Sequence, residues 1–205
     1  MNYIASERPG IYPDFKASSI TYSTYNNKTV GIVAKASLQP EGIVYITNID
    51  DAVSAFKEDS SLTNLCTIAL KNGAYKIAAI AVNSDSPNYN DAFALLSDEN
   101  DLCAVMCDSE NLSIHKLLES SVNTASSNLK ERIGIIGCSA NENVLNWANN
   151  FNNERIVLIA QHPVDDNQSN LSSSCIAAAL CGLIAKNADP TLSFNGSMLN
   201  SIDNL

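Results

Sequence analysis

Apolar residues along this chain alternate between two rhythms. The runs "YKIAAIAV" (75–82), "LCAVMC" (102–107), "RIGIIGC" (132–138) and "RIVLIA" (155–160) are nearly continuous apolar blocks, the pattern of strands covered on both faces. A helical spacing follows each, over 90–97, 110–128, 141–150 and 172–186, with Ser, Asp or Asn ahead of it to cap the first turn. Strand and helix in this alternation predict a parallel core sheet, right-handed crossovers and helices on both sides.

Upstream, "KTVGIVAKA" (28–36) and "IVYIT" (43–47) are β-branched runs split by "SLQPEG", where Pro40 and Gly42 mark a turn. Two helices should follow. "NIDDAVSAFKE" offers Asn48 or Asp50 as a cap and apolar Ala52, Val53 and Phe56, and "SSLTNLCTIALKNG" repeats the logic and stops at Gly73. The opening stretch "MNYIASERPGIYPDF" differs, because Pro9 and Pro13 each lack an amide proton and force the preceding residue to be extended. Tyr3, Ile4, Ile11, Tyr12 and Phe15 make this extended stretch more apolar than a solvated tail. Pro9 followed by Gly10 suits a type II turn, flanked by Glu7 and Arg8. The organisation read from the pattern is an extended N-terminal arm (1–26), an α/β core with a mainly parallel or mixed sheet and flanking helices (27–190), and a short tail (191–205) where the pattern fades.

Composition narrows the function. The chain has 205 residues, 45% hydrophobic and 17% charged, enough for one well-buried core. Its 22 acidic residues against 12 Lys and Arg give a net charge of −10, which repels phosphate backbones and anionic lipid, so neither nucleic acid nor membrane is an expected partner. The amino terminus lacks a basic run ahead of an apolar block, and "CIAAALCGLIA" is too short to span a bilayer, so neither export nor membrane insertion is expected. All six cysteines sit in apolar surroundings and read as small core residues in a reducing cytoplasm. Regular strand spacing puts Cys103 and Cys107 on one face, too far apart for a shared ion. With two histidines in the chain, no metal and no cofactor are expected.

Ligands of open α/β sheets bind at the carboxyl ends of the strands. Two residues there carry the sharpest enzyme reading. Cys138 ends one apolar run and His162 follows another, so a thiol and an imidazole could face each other as nucleophile and base, with Asp108, Asp165 or Asp166 orienting the ring. The plainer reading is a buried small residue and a surface histidine before Pro163, since the pair carries no spacing signature. "GIIGCSANEN" lacks both G-x-G-x-x-G and the G-K-[ST] ending of a phosphate loop. His115 reads as a solvent-facing helix residue. The aromatic set Tyr3, Tyr12, Phe15, Tyr22 and Tyr25 is interleaved only by Arg8, Lys16 and Lys28, which favours packing on protein over stacking on bases.

"ERPGIYPDF", then "NKTVGIVAKAS", then "NNERIVLIAQHP" with "IAAALCGLIAKNADPTLSFNG" resembles, in that order, the tail sheath proteins of contractile bacteriophage tails and phage-tail-like bacteriocins. The resemblance places Glu7, Arg8, Pro9, Gly10 and Tyr12 in the family's arm motif, Val30, Gly31 and Ile32 in its first strand, and 177–190 in its Ala-rich helix and turn. It implies a structural subunit with no catalytic residue, forming rings or a helical tube around a tail tube protein and meeting baseplate or tail terminator proteins. Assembly would take place in the bacterial host cytoplasm, and the product would be a virion or phage-like particle tail. It also implies that the arm adds a strand to a neighbouring subunit, which makes Ile4, Glu7, Arg8, Pro9, Gly10, Ile11, Tyr12 and Phe15 the expected intersubunit residues. The family continues past "PTLSFNG" into a further α/β subdomain, so this chain reads as a short form: a reduced sheath protein, a specialised ring component or a piece of a longer product. A small cytosolic α/β enzyme of cysteine-hydrolase type, using Cys138 and His162, is the alternative.

Overall fold

The computed structural model describes residues 28–138, 143–161, 172–187 and 193–200. The expected arm, with Ile4, Glu7, Arg8, Pro9, Gly10, Ile11, Tyr12 and Phe15, lies outside the described residues, as do His162, Asp165 and Asp166.

The chain runs β1 (Thr29–Lys35), β2 (Val44–Ile46), α1 (Ile49–Phe56), α2 (Ser61–Lys71), β3 (Lys76–Val82), α3 (Tyr89–Ser97), β4 (Leu102–Cys107), α4 (Leu112–Ser127), β5 (Ile133–Gly137), α5 (Val144–Asn150), β6 (Ile156–Ile159) and α6 (Ser173–Lys186). The sheet is mixed, in the order β2-β3-β1-β4-β5-β6, with β2 antiparallel to β3 and the other neighbours parallel. Each described helix begins after an Asn or Ser whose side-chain oxygen accepts an amide proton two or three residues on, from Asn48 for α1 to Ser172 for α6. Caps of this kind satisfy donors that the first turn leaves unpaired and stabilise by about 1 kcal/mol each.

Two clusters divide the core by sheet face. One joins α1, α2 and α6 to the sheet through Phe56, Leu65, Ala69, Ala178 and Cys181, and the other joins α3 and α4 through Phe93, Leu96, Leu118 and Val122. Helix α6 is apolar on nearly all sides and buried, wedged between α2 and the centre of the sheet. Small residues make that fit possible, for a Cβ on Gly182 would stand 2.4 Å from the Ala69 carbonyl oxygen.

Two strands depart from the sequence reading. In β4 the pairing with β1 runs Thr29 to Leu102 and then Val30 to Ala104, so Cys103 is the extra residue of a bulge. A bulge inverts the alternation. Cys103 therefore joins the core on the α6 side, its thiol 3.4 Å from the Thr29 carbonyl oxygen, while Cys107 joins the α3 and α4 side. The two are on opposite faces and not on one. Strand β6, whose apolar run suggests cover on both faces, is a half-exposed edge with Val157 open to solvent.

Candidate functional site at the carboxyl rim of the sheet

Strand β1 leads to β3 on one side, and β3 then crosses back to β4 on the other, so the topological switch point lies between the carboxyl ends of β1 and β4. In open α/β sheets this crevice is where ligands settle. Here Asp108 occupies it. The Lys35 amide donates to its Oδ2 at 2.9 Å, the Tyr89 hydroxyl donates to its Oδ1 at 2.6 Å, and its own amide donates to the Val33 carbonyl at 3.2 Å. Tyr89 is buried, and burial together with the adjacent carboxylate pushes its pKa well up, which keeps the phenol protonated as a donor.

A second carboxylate, two residues further along the same loop, is likewise engaged. Glu110 accepts from Ser172 Oγ at 2.8 Å and Ser173 Oγ at 3.3 Å, at the first turn of α6, where the helix dipole favours a negative charge. The turn sits tightly on β5, since a Cβ on Gly137 would fall 2.1 Å from Ser173 Oγ. Cys138 is fully buried beneath this contact. Its amide donates to the Ile159 carbonyl and its carbonyl accepts from Ser173 Oγ.

Of the residues read from the sequence as a nucleophile, base and orienting acid, Cys138 and Asp108 are described. Asp108 is committed to Tyr89 and to the backbone of β1, and Cys138 is shut from solvent. The remaining cysteines are also poor nucleophiles, because burial pushes the thiols of Cys66 and Cys107 up to about 12 and that of Cys103 up to about 11, and also raises Cys175 and Cys181. Among the described residues, no group of three His, Cys, Asp or Glu is placed to hold a metal ion. No described helix is long and apolar enough to cross a membrane. An open cleft of about 530 Å³ between α1 and α2 is lined by Ile49, Val53, Glu58, Asp59 and the hydroxyl residues of the first turn of α2.

Two polar residues are structural, one that the sequence placed in solvent and one that it did not single out. His115 is wholly buried and not solvent-facing: Nε2 lies 2.5 Å from the Ser109 carbonyl oxygen, and the ring meets Trp147 edge-on at 5.1 Å. It falls on the buried stripe of α4 with Leu118, Val122 and Ala125, a 3-4-3 spacing that could have located it. Arg132 is also buried. It donates to the Leu96 and Glu99 carbonyls at 2.7 Å each and so closes the carboxyl end of α3, where Lys130 adds a bond to Asp98.

The outer surface offers a different kind of site. Among the described residues no strand pairs with the free side of β6, and Val144, Val157 and the 73% exposed Leu145 add apolar surface on β6 and α5. An unpaired strand edge of this kind can accept another extended chain.

These features describe a doubly wound α/β domain whose rim carboxylates Asp108 and Glu110 are engaged by its own side chains and backbone, and in which, among the described residues, one edge of the sheet is unpaired. No protein-family model and no curated protein matches the sequence. Solved structures do. The chain is similar to the helical sheath of the anti-feeding prophage in its contracted state (TM-score 0.57, 12% identity, 86% of this chain and 52% of that one). It is similar to a sheath tail protein from Listeria innocua (TM-score 0.59, 9% identity, 79% and 57%). It is also similar to a chain of the anti-feeding prophage baseplate (TM-score 0.58, 13% identity, 96% and 58%). The chain thus has the fold of sheath tail proteins and spans somewhat more than half the length of the structures it matches.

Proposed function

We propose that this protein is a structural subunit of a contractile phage or phage-like tail sheath, self-assembling into rings or a helical tube around a tail tube protein. The observation that carries the reading is the fold likeness, over most of this chain, to subunits of an assembled sheath and of a baseplate. The rim supports it: its described carboxylates, Asp108 and Glu110, are engaged by Lys35, Tyr89 and Ser172, which suits a subunit whose work lies in its outer surface.

In this reading the subunit is not an enzyme and needs no cofactor. Residues 1–26 form the intersubunit arm, and Ile4, Ile11, Tyr12 and Phe15 are buried against a neighbouring copy while Pro9 and Gly10 set the arm's direction. The free edge of β6 is a fitting acceptor, because it supplies amides and carbonyls that an extended arm satisfies. Partners at the ends of the tube are baseplate or tail terminator proteins. Assembly takes place in the host cytoplasm, and neither nucleic acid nor membrane is bound. Electron microscopy of the purified protein tests this: rings or tubes are expected, and compact separate particles at every concentration tried would overturn it.

A further inference from the structure

The sequence holds two Asn-Gly pairs, and the structure places them in opposite environments. At Asn72-Gly73 the asparagine is buried. Its Nδ2 donates to the Ile68 carbonyl at 2.8 Å and the Asn200 carbonyl at 3.0 Å, and its Oδ1 accepts from the Asn200 amide at 2.9 Å. The next amide is engaged as well, with Gly73 N donating to the Leu70 carbonyl at 3.0 Å. Asn195-Gly196 instead forms the exposed tip of a turn closed by the Ser197 amide on the Phe194 carbonyl. Gly196 has φ +76, and a Cβ built on it would meet nothing within 4 Å.

We infer that Asn195 is a site of spontaneous deamidation through a cyclic imide and that Asn72, with the same following residue, is protected from it. The Gly196 amide gives up its proton to water or hydroxide, and its nitrogen attacks Cγ of Asn195. The Cγ–Nδ2 bond breaks, and Nδ2 leaves with that proton as ammonia. Water then adds to one of the two imide carbonyls and cleaves its bond to nitrogen, which takes up a proton, leaving aspartate or isoaspartate at position 195. No oxidant or reductant takes part. Glycine permits the attack because no Cβ on the following residue crowds the approaching nitrogen. At Asn72 both the leaving amide and the attacking nitrogen are held, so the reaction must wait for local opening.

The product matters for the segment that holds it. Isoaspartate lengthens the backbone by one methylene inside the turn and adds a negative charge to a chain already at −10. Four and five residues on, Leu199 and Asn200 fasten this segment to the core, through apolar packing and through Asn200 on Asn72 and Lys71. Modification at Asn195 therefore changes the approach to the fastening and leaves the fastening in place.

The test is to incubate the full chain in warm, mildly alkaline buffer, folded and in urea, and to follow both asparagines by peptide mass spectrometry and isoaspartate detection. In the folded protein position 195 is expected to convert at least about tenfold faster than position 72, because any required opening adds to the barrier at the latter. In urea the two rates should converge. Asn195→Gln should abolish the fast phase, and Gly196→Ala should slow it. Equal rates in the folded chain, or a fast phase that survives Asn195→Gln, would overturn the inference.

Discussion

His115 has Nε2 on the Ser109 carbonyl and leaves Nδ1 enclosed, with no hydrogen-bond partner among the described residues, in a ring that meets Trp147 and Phe151. Burial lowers its pKa to about 4, against partial opposition from the Ser109 bond and the Glu110 charge. The folded state therefore keeps the ring neutral across a range in which the unfolded chain, near the ordinary 6.5, takes up a proton. Stability present at neutral pH should fall as the pH drops from about 6.5 to about 4, by up to roughly 3 kcal/mol. Urea melts at stepped pH check this, and His115→Phe should flatten that part of the profile, since carboxylate titration remains while the imidazole is gone. A profile of unchanged slope in the variant would assign the acid sensitivity elsewhere. Burial also governs Cys138, fully enclosed under the first turn of α6. An electrophilic thiol reagent at neutral pH should leave it unmodified in the folded chain and label it in urea; selective labelling of the folded protein, lost in His162→Ala, would instead favour the hydrolase reading.

At the scale of elements, the contacts that hold helices in place are backbone approaches and buried caps. Arg132 satisfies two carbonyls at the end of α3 from a buried position, so Arg132→Met should cost about 1–3 kcal/mol by leaving the Leu96 and Glu99 oxygens unpaired. Thermal or urea unfolding measures it, with Lys130→Met, at a more exposed cap, expected to cost less. Gly182→Ala should destabilise by a similar amount, because a Cβ 2.4 Å from the Ala69 carbonyl forces α2 and α6 apart. Nearly every strand and helix was legible in the sequence, since continuous apolar runs and Asn or Ser caps are local signals. The bulge at Cys103 was not, because it exists only in the pairing of β4 with β1 and leaves no mark in "LCAVMC". The half-exposure of β6 was hidden for a related reason: "RIVLIA" reads like a central strand, and only the strand order puts it at an edge. The rim was half legible. Asp108 stood out by position, but its commitment to Tyr89 joins residues 19 apart through a fold that spacing does not reveal.

For the whole molecule, the question is whether the core needs the arm in order to fold or only in order to assemble. Among the described residues, both faces of the sheet are covered by helices of the same chain. If the arm serves a neighbour, its direction matters more than its charge. Gly after Pro suits a type II turn, in which the third position takes a positive φ that glycine reaches without steric cost and a β-branched residue does not. Arg8 beside the turn can bind a carboxylate of an acidic neighbour as a fork, yet an exposed pair of that kind contributes only about 0–1 kcal/mol. Gly10→Val is therefore expected to leave the thermal melt of the monomer unchanged while reducing sedimentable rings or tubes more than Arg8→Lys does. Melts and sedimentation run side by side on both variants decide the matter. A Gly10→Val protein that assembles like the parent would remove the arm's turn from the mechanism, and one that fails to fold would place the arm on its own core.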